Sequence, residues 1–70
     1  MPSFSKSIKR VRIEARMTQK QFAEALGVSF TTVNRWENRK MLPSFPTVKA
    51  IESFCKERGI DFDIKSIQEV

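Results

Sequence analysis

The chain has 70 residues, a net charge of +5, one cysteine and no histidine. A chain of this length forms one domain, residues 1–70, because it buries only about 60% of its unfolded surface and has material for a single small core. The lack of histidine excludes Cys–His catalysis and His-ligated metal sites, and a lone cysteine excludes an intrachain disulfide. Because the acidic residues are scattered and no glycine-rich phosphate loop is present, we expect no enzyme activity, cofactor or metal.

The positive charge is concentrated in the first half of the chain. Residues 1–40 hold nine Lys and Arg against three Glu, whereas residues 41–70 hold four basic against five acidic residues. A polyanion is the natural partner of such a basic half. No apolar run is long enough to span a membrane, and the N-terminus lacks the apolar stretch of a signal peptide. We therefore expect a cytoplasmic protein without membrane contact.

Apolar residues at helical spacing predict a first helix near the N-terminus. Ser3 or Ser5 is the expected cap of this helix. A tight connection at residues 16–17 is expected to end it. The inward face consists of Ile8, Val11, Arg12 and Ala15.

The most informative stretch is residues 18–38, which predicts two short helices joined at a glycine. Thr18 and Gln21 form a capping box that starts helix 2. Gly27 can take a positive φ without steric cost and ends this helix, and Ser29 is expected to cap helix 3. The apolar residues between the two helices are Phe22, Leu26, Val28, Val33 and Trp36. This spacing is typical of a DNA-binding helix-turn-helix.

Two further helices are predicted after a loop at Pro43. Ser44 is the expected cap of helix 4, with Pro46 in its first turn, and Gly59 ends it. Asp61 is the expected cap of a short fifth helix. The apolar positions of helix 4 are Phe45, Val48, Ile51, Phe54 and Cys55. A second apolar set follows, which either covers the core or mediates dimerisation: Ile60, Phe62, Ile64 and Ile67. The predicted fold is all-α, a compact bundle of five short helices without a sheet.

Several short segments carry a resemblance to a known family. They are Met-Thr-Gln at 17–19, Phe-Ala-Glu-Ala-Leu-Gly-Val-Ser at 22–29, Thr-Val at 32–33 and Arg-Trp-Glu-Asn at 35–38. With these segments the chain resembles the Xre/phage-repressor (Cro/C1-type) helix-turn-helix family from about Ile8 to Phe62. The resemblance implies a lambda-repressor-like domain that binds double-stranded DNA and places helix 3 in the major groove.

The resemblance also implies that one face of helix 3 contacts the DNA bases. Arg35 can donate two hydrogen bonds to a guanine, worth ~1–3 kcal/mol of discrimination, while a phosphate contact or a solvated charge are its alternatives. Asn34 can read adenine or remain a solvated amide. Phe30 either packs on a thymine methyl group or folds back over helix 2. The implied base-contact residues are Ser29, Phe30, Thr31, Asn34 and Arg35.

Contacts to the DNA backbone are implied at the ends of the helix-turn-helix. The implied residues are Thr18, Gln19, Asn38, Arg39 and Lys40. The family also has an Arg–Glu bridge between helices 1 and 3 at the positions of Arg12 and Glu37, for which two unrelated surface charges are the alternative. Arg39 stands where the family often has glycine. Either helix 3 ends differently here, or a steric penalty of ~1 kcal/mol is tolerated because the cation faces phosphate.

The leading functional hypothesis is a transcriptional regulator, such as a repressor, that binds specific double-stranded DNA. The usual arrangement is a homodimer on a two-fold operator, with half-sites ~34 Å apart. One alternative is a DNA-binding antitoxin that neutralises a toxin through residues 60–70. Another is an N-terminal DNA-targeting domain of a larger protein, such as a DNA-modification enzyme. Selection of bound duplexes from a random pool would test the leading hypothesis directly.

Overall fold

The computed structural model describes residues 4–38 and 41–62, whose regular secondary structure consists of helices, with no strand. The helix-turn-helix expected at residues 18–38 is present, with α2 and α3 on either side of Gly27. None of the helices in these residues combines the length and the hydrophobicity that a membrane span requires. The helices are α1 (Phe4–Glu14), α2 (Gln19–Leu26), α3 (Phe30–Asn38) and α4 (Phe45–Arg58).

The described residues hold four helices, so the predicted count of five is not matched. Asp61 was expected to cap the fifth helix, which would make Phe62 its first residue, but Phe62 is not helical. The physical reason is that Ile60 and Phe62 already pack against the core from a non-helical segment, so their partial burial requires no helix. The remainder of the predicted helix, with Ile64 and Ile67, lies outside the described residues.

The caps predicted for α2 and α3 are present at the expected residues. The N–H of Gln21 donates to Thr18 Oγ1 at 3.1 Å, and the N–H of Thr18 donates to Gln21 Oε1 at 3.0 Å, which completes the capping box. Gly27 is left-handed at φ 74°. Ser29 Oγ accepts from the N–H of Thr32 at 3.1 Å, the hydrogen bond of an N-cap. These signals are confirmed.

The N-terminal end of α1 differs from expectation, whereas its C-terminal end leads into the expected tight connection. Ser5 lies inside the helix, which starts at Phe4, and Ser3 is outside the described residues. Ser5 is therefore not the cap, because a cap residue precedes the first helical residue. The ring of Phe4 packs edge-on against that of Trp36, with the ring centroids 5.8 Å apart. At the other end Arg16 has φ 58°, the left-handed conformation that usually requires glycine. The tight connection expected at residues 16–17 thus turns on an arginine.

The core lies where the helices meet, with α3 against both α1 and α2, and α4 against α2. Trp36 is buried in this core, as its position in the sequence predicted. Phe45, predicted to face inward on α4, is instead 71% exposed. As the first residue of α4 it lies at the end of the helix, where its ring is covered by Lys49 Nζ at 5.1 Å from the ring centre. The largest fully buried side chains are Ile8, Val11, Phe22, Val33, Trp36 and Ile51.

Candidate nucleic-acid interface

Helix α3 has one buried face and one polar face. Val33 and Trp36 are turned into the core, with 0% and 1% of their surface exposed. The polar face follows from helical spacing, because residues three and four apart lie on the same side of a helix. Five residues in and just before α3 are exposed and Asn34 is half-buried; the exposed ones are Ser29, Phe30, Thr31, Arg35 and Asn38. Four of the five implied base-contact residues are therefore exposed in or beside one helix, and the fifth, Asn34, is half-buried.

The exposed face of α3 is positively charged because the only carboxylate of the helix is buried. Glu37 is the single acidic residue of α3, and its side chain is 3% exposed. Arg35, by contrast, is exposed. On the described part of α3 the cation is therefore presented to solvent and the anion is not. That arrangement suits a phosphate-rich partner.

Arg12 and Glu37 come together between α1 and α3. Arg12 Nε donates to Glu37 Oε2 at 2.7 Å, and Arg12 Nη2 donates to Glu37 Oε1 at 3.1 Å. A third guanidinium nitrogen, Nη1, donates to the carbonyl of Met17 at 2.9 Å. The fork geometry of arginine allows all these bonds at once. One side chain thereby joins α1, α3 and the connection that leads into α2.

Gln19 links the Arg12–Glu37 pair to Asn34 on the polar face of α3. Its Nε2 donates to Glu37 Oε1 at 3.0 Å, while its Oε1 accepts from Asn34 Nδ2 at 3.2 Å. The side chain implied to bind the DNA backbone is thus half-buried and bonded within the protein. Reasoning from the sequence missed this link between Gln19 and Asn34. The available signal was that two amides and a carboxylate lie where the start of α2 meets the polar side of α3.

The remaining implied backbone residues are placed in different ways. Thr18 is exposed, and its hydroxyl oxygen accepts the N–H of Gln21 as the N-cap. Asn38 is exposed at the end of α3, and its Nδ2 donates to the main-chain carbonyl of Asn34 at 3.1 Å. Arg39 and Lys40, and with them the question of arginine in place of glycine, lie outside the described residues.

Cys55 takes no part in this surface. It is buried in the core beside Phe54, on α4. Burial raises the pKa of its thiol, the neighbouring Arg10 lowers it, and Glu14 raises it. A thiol with a raised pKa is a poor nucleophile at neutral pH. Across residues 4–38 and 41–62, no group of three or more acidic, histidine or cysteine side chains is arranged to hold a metal ion.

Two short helices crossing at a left-handed glycine, the second with its polar face outward, define a helix-turn-helix protein. This is a class that binds DNA through its second helix. The family model described as helix-turn-helix matches residues 8–62, and the chain belongs to that family, the Xre/phage-repressor type that its segments resemble. Members of the family are regulators that bind double-stranded DNA.

A curated relative agrees with this assignment. The chain is 35% identical over 51 residues to the HTH-type transcriptional activator BcrR of Enterococcus faecalis. The match covers 73% of this chain and 25% of the relative, so the chain spans about a quarter of that protein's length. None of the solved structures matches the chain significantly.

Proposed function

We propose that the chain binds specific double-stranded DNA with α3 in the major groove and acts as a transcriptional regulator. The observation that carries this proposal is the polar face of α3, which exposes Arg35 and hides Glu37. B-DNA's major groove accepts one α-helix, and each base pair there presents its own pattern of donors and acceptors. A helix with amide, hydroxyl and guanidinium groups on its free side can read that pattern.

The base contacts are assigned to the residues along this face. Arg35 donates to O6 and N7 of a guanine, and Asn34 contacts an adenine through its amide. Ser29 and Thr31 lie at the N-terminal end of α3, the end that reaches base edges first in this class. Phe30, half exposed beside them, packs on a thymine methyl group.

The backbone contacts are assigned to the ends of the two helices. At the start of α2, free N–H groups and the positive end of the helix dipole favour a phosphate beside Thr18 and Gln19. Gln19 keeps a second Nε2 hydrogen for this contact, because only one of the two is needed for Glu37. Asn38, Arg39 and Lys40 bind the backbone beyond the other end of α3.

Selection of bound duplexes from a random pool tests the proposal. We expect enrichment of one short sequence, and two copies centred about 10 base pairs apart if the protein binds as a homodimer. Affinity for the selected duplex should fall with salt by about 0.9 log units per phosphate contact for each tenfold rise in concentration. Equal binding of all sequences, with no enrichment, would contradict sequence-specific binding.

A second candidate is a DNA-targeting module within a longer regulator. It is favoured by BcrR, in which the matched residues make up only a quarter of the protein. DNA binding by α3 would be the same, but regulation would depend on segments outside residues 1–70. The two candidates are distinguished by the gene, since a reading frame that continues well beyond Val70 supports the module. Regulation of a reporter by residues 1–70 alone would support the independent regulator.

A further inference from the structure

We propose that Glu37 and Gln19 lock the side-chain amide of Asn34 in one orientation and so determine which bases it accepts. With its nitrogen held by Gln19, Asn34 directs its oxygen away from Gln19, toward the groove, and selects a base with an exocyclic amino group. This inference rests on the proposed placement of α3 in the major groove. It makes Gln19 and Glu37 positioning residues for a base contact that neither of them touches.

The orientation follows from the order of donors and acceptors along the chain of hydrogen bonds. A carboxylate can only accept, so Glu37 requires the nitrogen end of the Gln19 amide, which donates to it at 3.0 Å. The oxygen of Gln19 is then left facing Asn34, and it accepts from Asn34 Nδ2 at 3.2 Å. Reversing Asn34 would set two oxygen atoms against each other, and reversing Gln19 would set its oxygen against the carboxylate.

The fixed end of this chain is held by Arg12. Two nitrogens of its guanidinium bind the two oxygens of Glu37, whose side chain is 3% exposed. A guanidinium has only donors, so both oxygens of the Glu37 carboxylate act as acceptors in these two hydrogen bonds. Glu37 is thereby held as the acceptor for Gln19, and this sets the direction of the hydrogen bonds that lead to Asn34.

The consequence for DNA is a preference between bases. In the major groove adenine and cytosine offer amino hydrogens, whereas guanine and thymine offer only acceptors at the corresponding edge. An asparagine free to rotate could donate to guanine as easily as accept from adenine. With one Nδ2 hydrogen bound to Gln19, Asn34 can accept from N6 of adenine and give its second hydrogen to N7. The lock therefore favours adenine first and cytosine second.

The first test is made on the free protein, without DNA. In an isotope-labelled sample, NMR should show one Nδ2 hydrogen of Asn34 with a chemical shift unlike that of a solvated asparagine, with slowed exchange with water and with contacts to Gln19. Gln19→Ala should make this hydrogen resemble those of a solvated asparagine, while thermal melting shows the fold intact. Lys20→Ala, the neighbouring exposed position, should leave the Asn34 signals unchanged. Solvated behaviour of Asn34 in the unaltered protein would overturn the lock.

The second test uses the selected duplex and variants carrying each base at every position. Asn34→Ala identifies the contacted base pair as the one where discrimination disappears. There the unaltered protein should prefer adenine by about 5- to 100-fold over guanine. Gln19→Ala should narrow that ratio to about threefold or less, and should have no further effect on it once Asn34 is alanine. Lys20→Ala should weaken binding to all duplexes alike.

The outcomes separate this inference from the proposed function. A preference for guanine or thymine at the Asn34 position, or an unchanged ratio in Gln19→Ala, would overturn the lock while sequence-specific binding stands. If Asn34→Ala discriminates between bases as well as the unaltered protein at every position, the lock is also overturned, because Asn34 then contacts no base. If no duplex is bound at all, the proposed function fails, and the inference about base choice fails with it even where NMR shows a locked amide.

Discussion

Arg12 and Glu37 face each other between α1 and α3 with two hydrogen bonds, at 2.7 and 3.1 Å, and a nearly enclosed carboxylate. The same carboxylate accepts a hydrogen bond from Gln19 at the start of α2. Three helices are thus held at one charged group. Among the described residues no buried side-chain nitrogen or oxygen lacks a partner. A well-satisfied buried pair of this kind fixes geometry more than it adds stability.

Removal of one partner from this pair should be strongly destabilising. Glu37→Ala leaves the Arg12 guanidinium, whose side chain is 15% exposed, without its counterion, and we expect a loss of about 3–5 kcal/mol in the free energy of unfolding. Arg12→Ala should cost a similar amount. Urea denaturation of the two single variants and the double variant gives the coupling energy.

The control for this cycle is Glu14→Ala, which breaks the exposed pair with Arg10 on α1. Those two side chains are 46% and 42% exposed, so the loss should not exceed about 0.5 kcal/mol. A coupling energy near zero between Arg12 and Glu37 would show that the bridge does not contribute as a pair. In that case the losses of the two single variants would add up to the loss of the double variant.

The parts of the fold that sequence reasoning predicted well depend on local signals. A capping box at Thr18, a left-handed glycine at Gly27 and a cap at Ser29 each act within four residues, so the sequence alone contains them. Trp36 was assigned to the core because helical spacing turns it the same way as Val33. Local chemistry and periodicity agree in this stretch, which is why its boundaries were correct.

The errors concern positions whose fate depends on distant parts of the chain. Phe45 has the right spacing for the inner face of α4, but the bundle does not extend to the first residue of that helix. Ile60 and Phe62 are apolar enough for a helix, yet they reach the core without one. The link from Gln19 to Asn34 exists only because α2 crosses α3 at a particular angle, which no single segment encodes.

Arg16 should be a site where glycine stabilises the protein. Its φ of 58° costs a non-glycine residue roughly 1 kcal/mol, and its side chain is exposed. Arg16→Gly removes that strain, although a more flexible unfolded chain offsets part of the gain. In urea denaturation, we expect the free energy of unfolding of Arg16→Gly to be about 0.5–1 kcal/mol higher than that of Arg16→Ala. Because both variants lose the same charge, a higher stability for Arg16→Ala would contradict strain at this residue.

Gly27→Ala should cost about 1 kcal/mol of stability through backbone strain alone. The φ of 74° is unfavourable for alanine, while an added Cβ meets no atom within 4 Å. Gly59 provides a matched control, with φ 66° and equally open surroundings at the end of α4. Thermal or urea unfolding of both variants should therefore give similar losses. A much larger loss for Gly27→Ala would mean that the turn between α2 and α3 has a further requirement.

Phe30→Ala should separate DNA binding from stability. Phe30 is 51% exposed, so its truncation should change the free energy of unfolding by less than about 1 kcal/mol, whereas Phe22→Ala, in the core, should cost about 3–5 kcal/mol. On the selected duplex, Phe30→Ala should reduce the preference for a thymine methyl group. A large loss of stability with unchanged base preference would instead assign Phe30 to the cover of the core.

Arg35→Ala should relax base preference at one position of the binding site. If Arg35 donates to O6 and N7 of a guanine, its removal costs ~1–3 kcal/mol on the duplex with guanine and little on the others. The comparison is Lys20→Ala, which removes an exposed cation of α2 and should weaken binding to every duplex alike. Titrations at several salt concentrations distinguish the two roles, since loss of a phosphate contact lowers the slope of log K against log salt by about 0.9. Uniform weakening by Arg35→Ala with that change in slope would assign Arg35 to the DNA backbone.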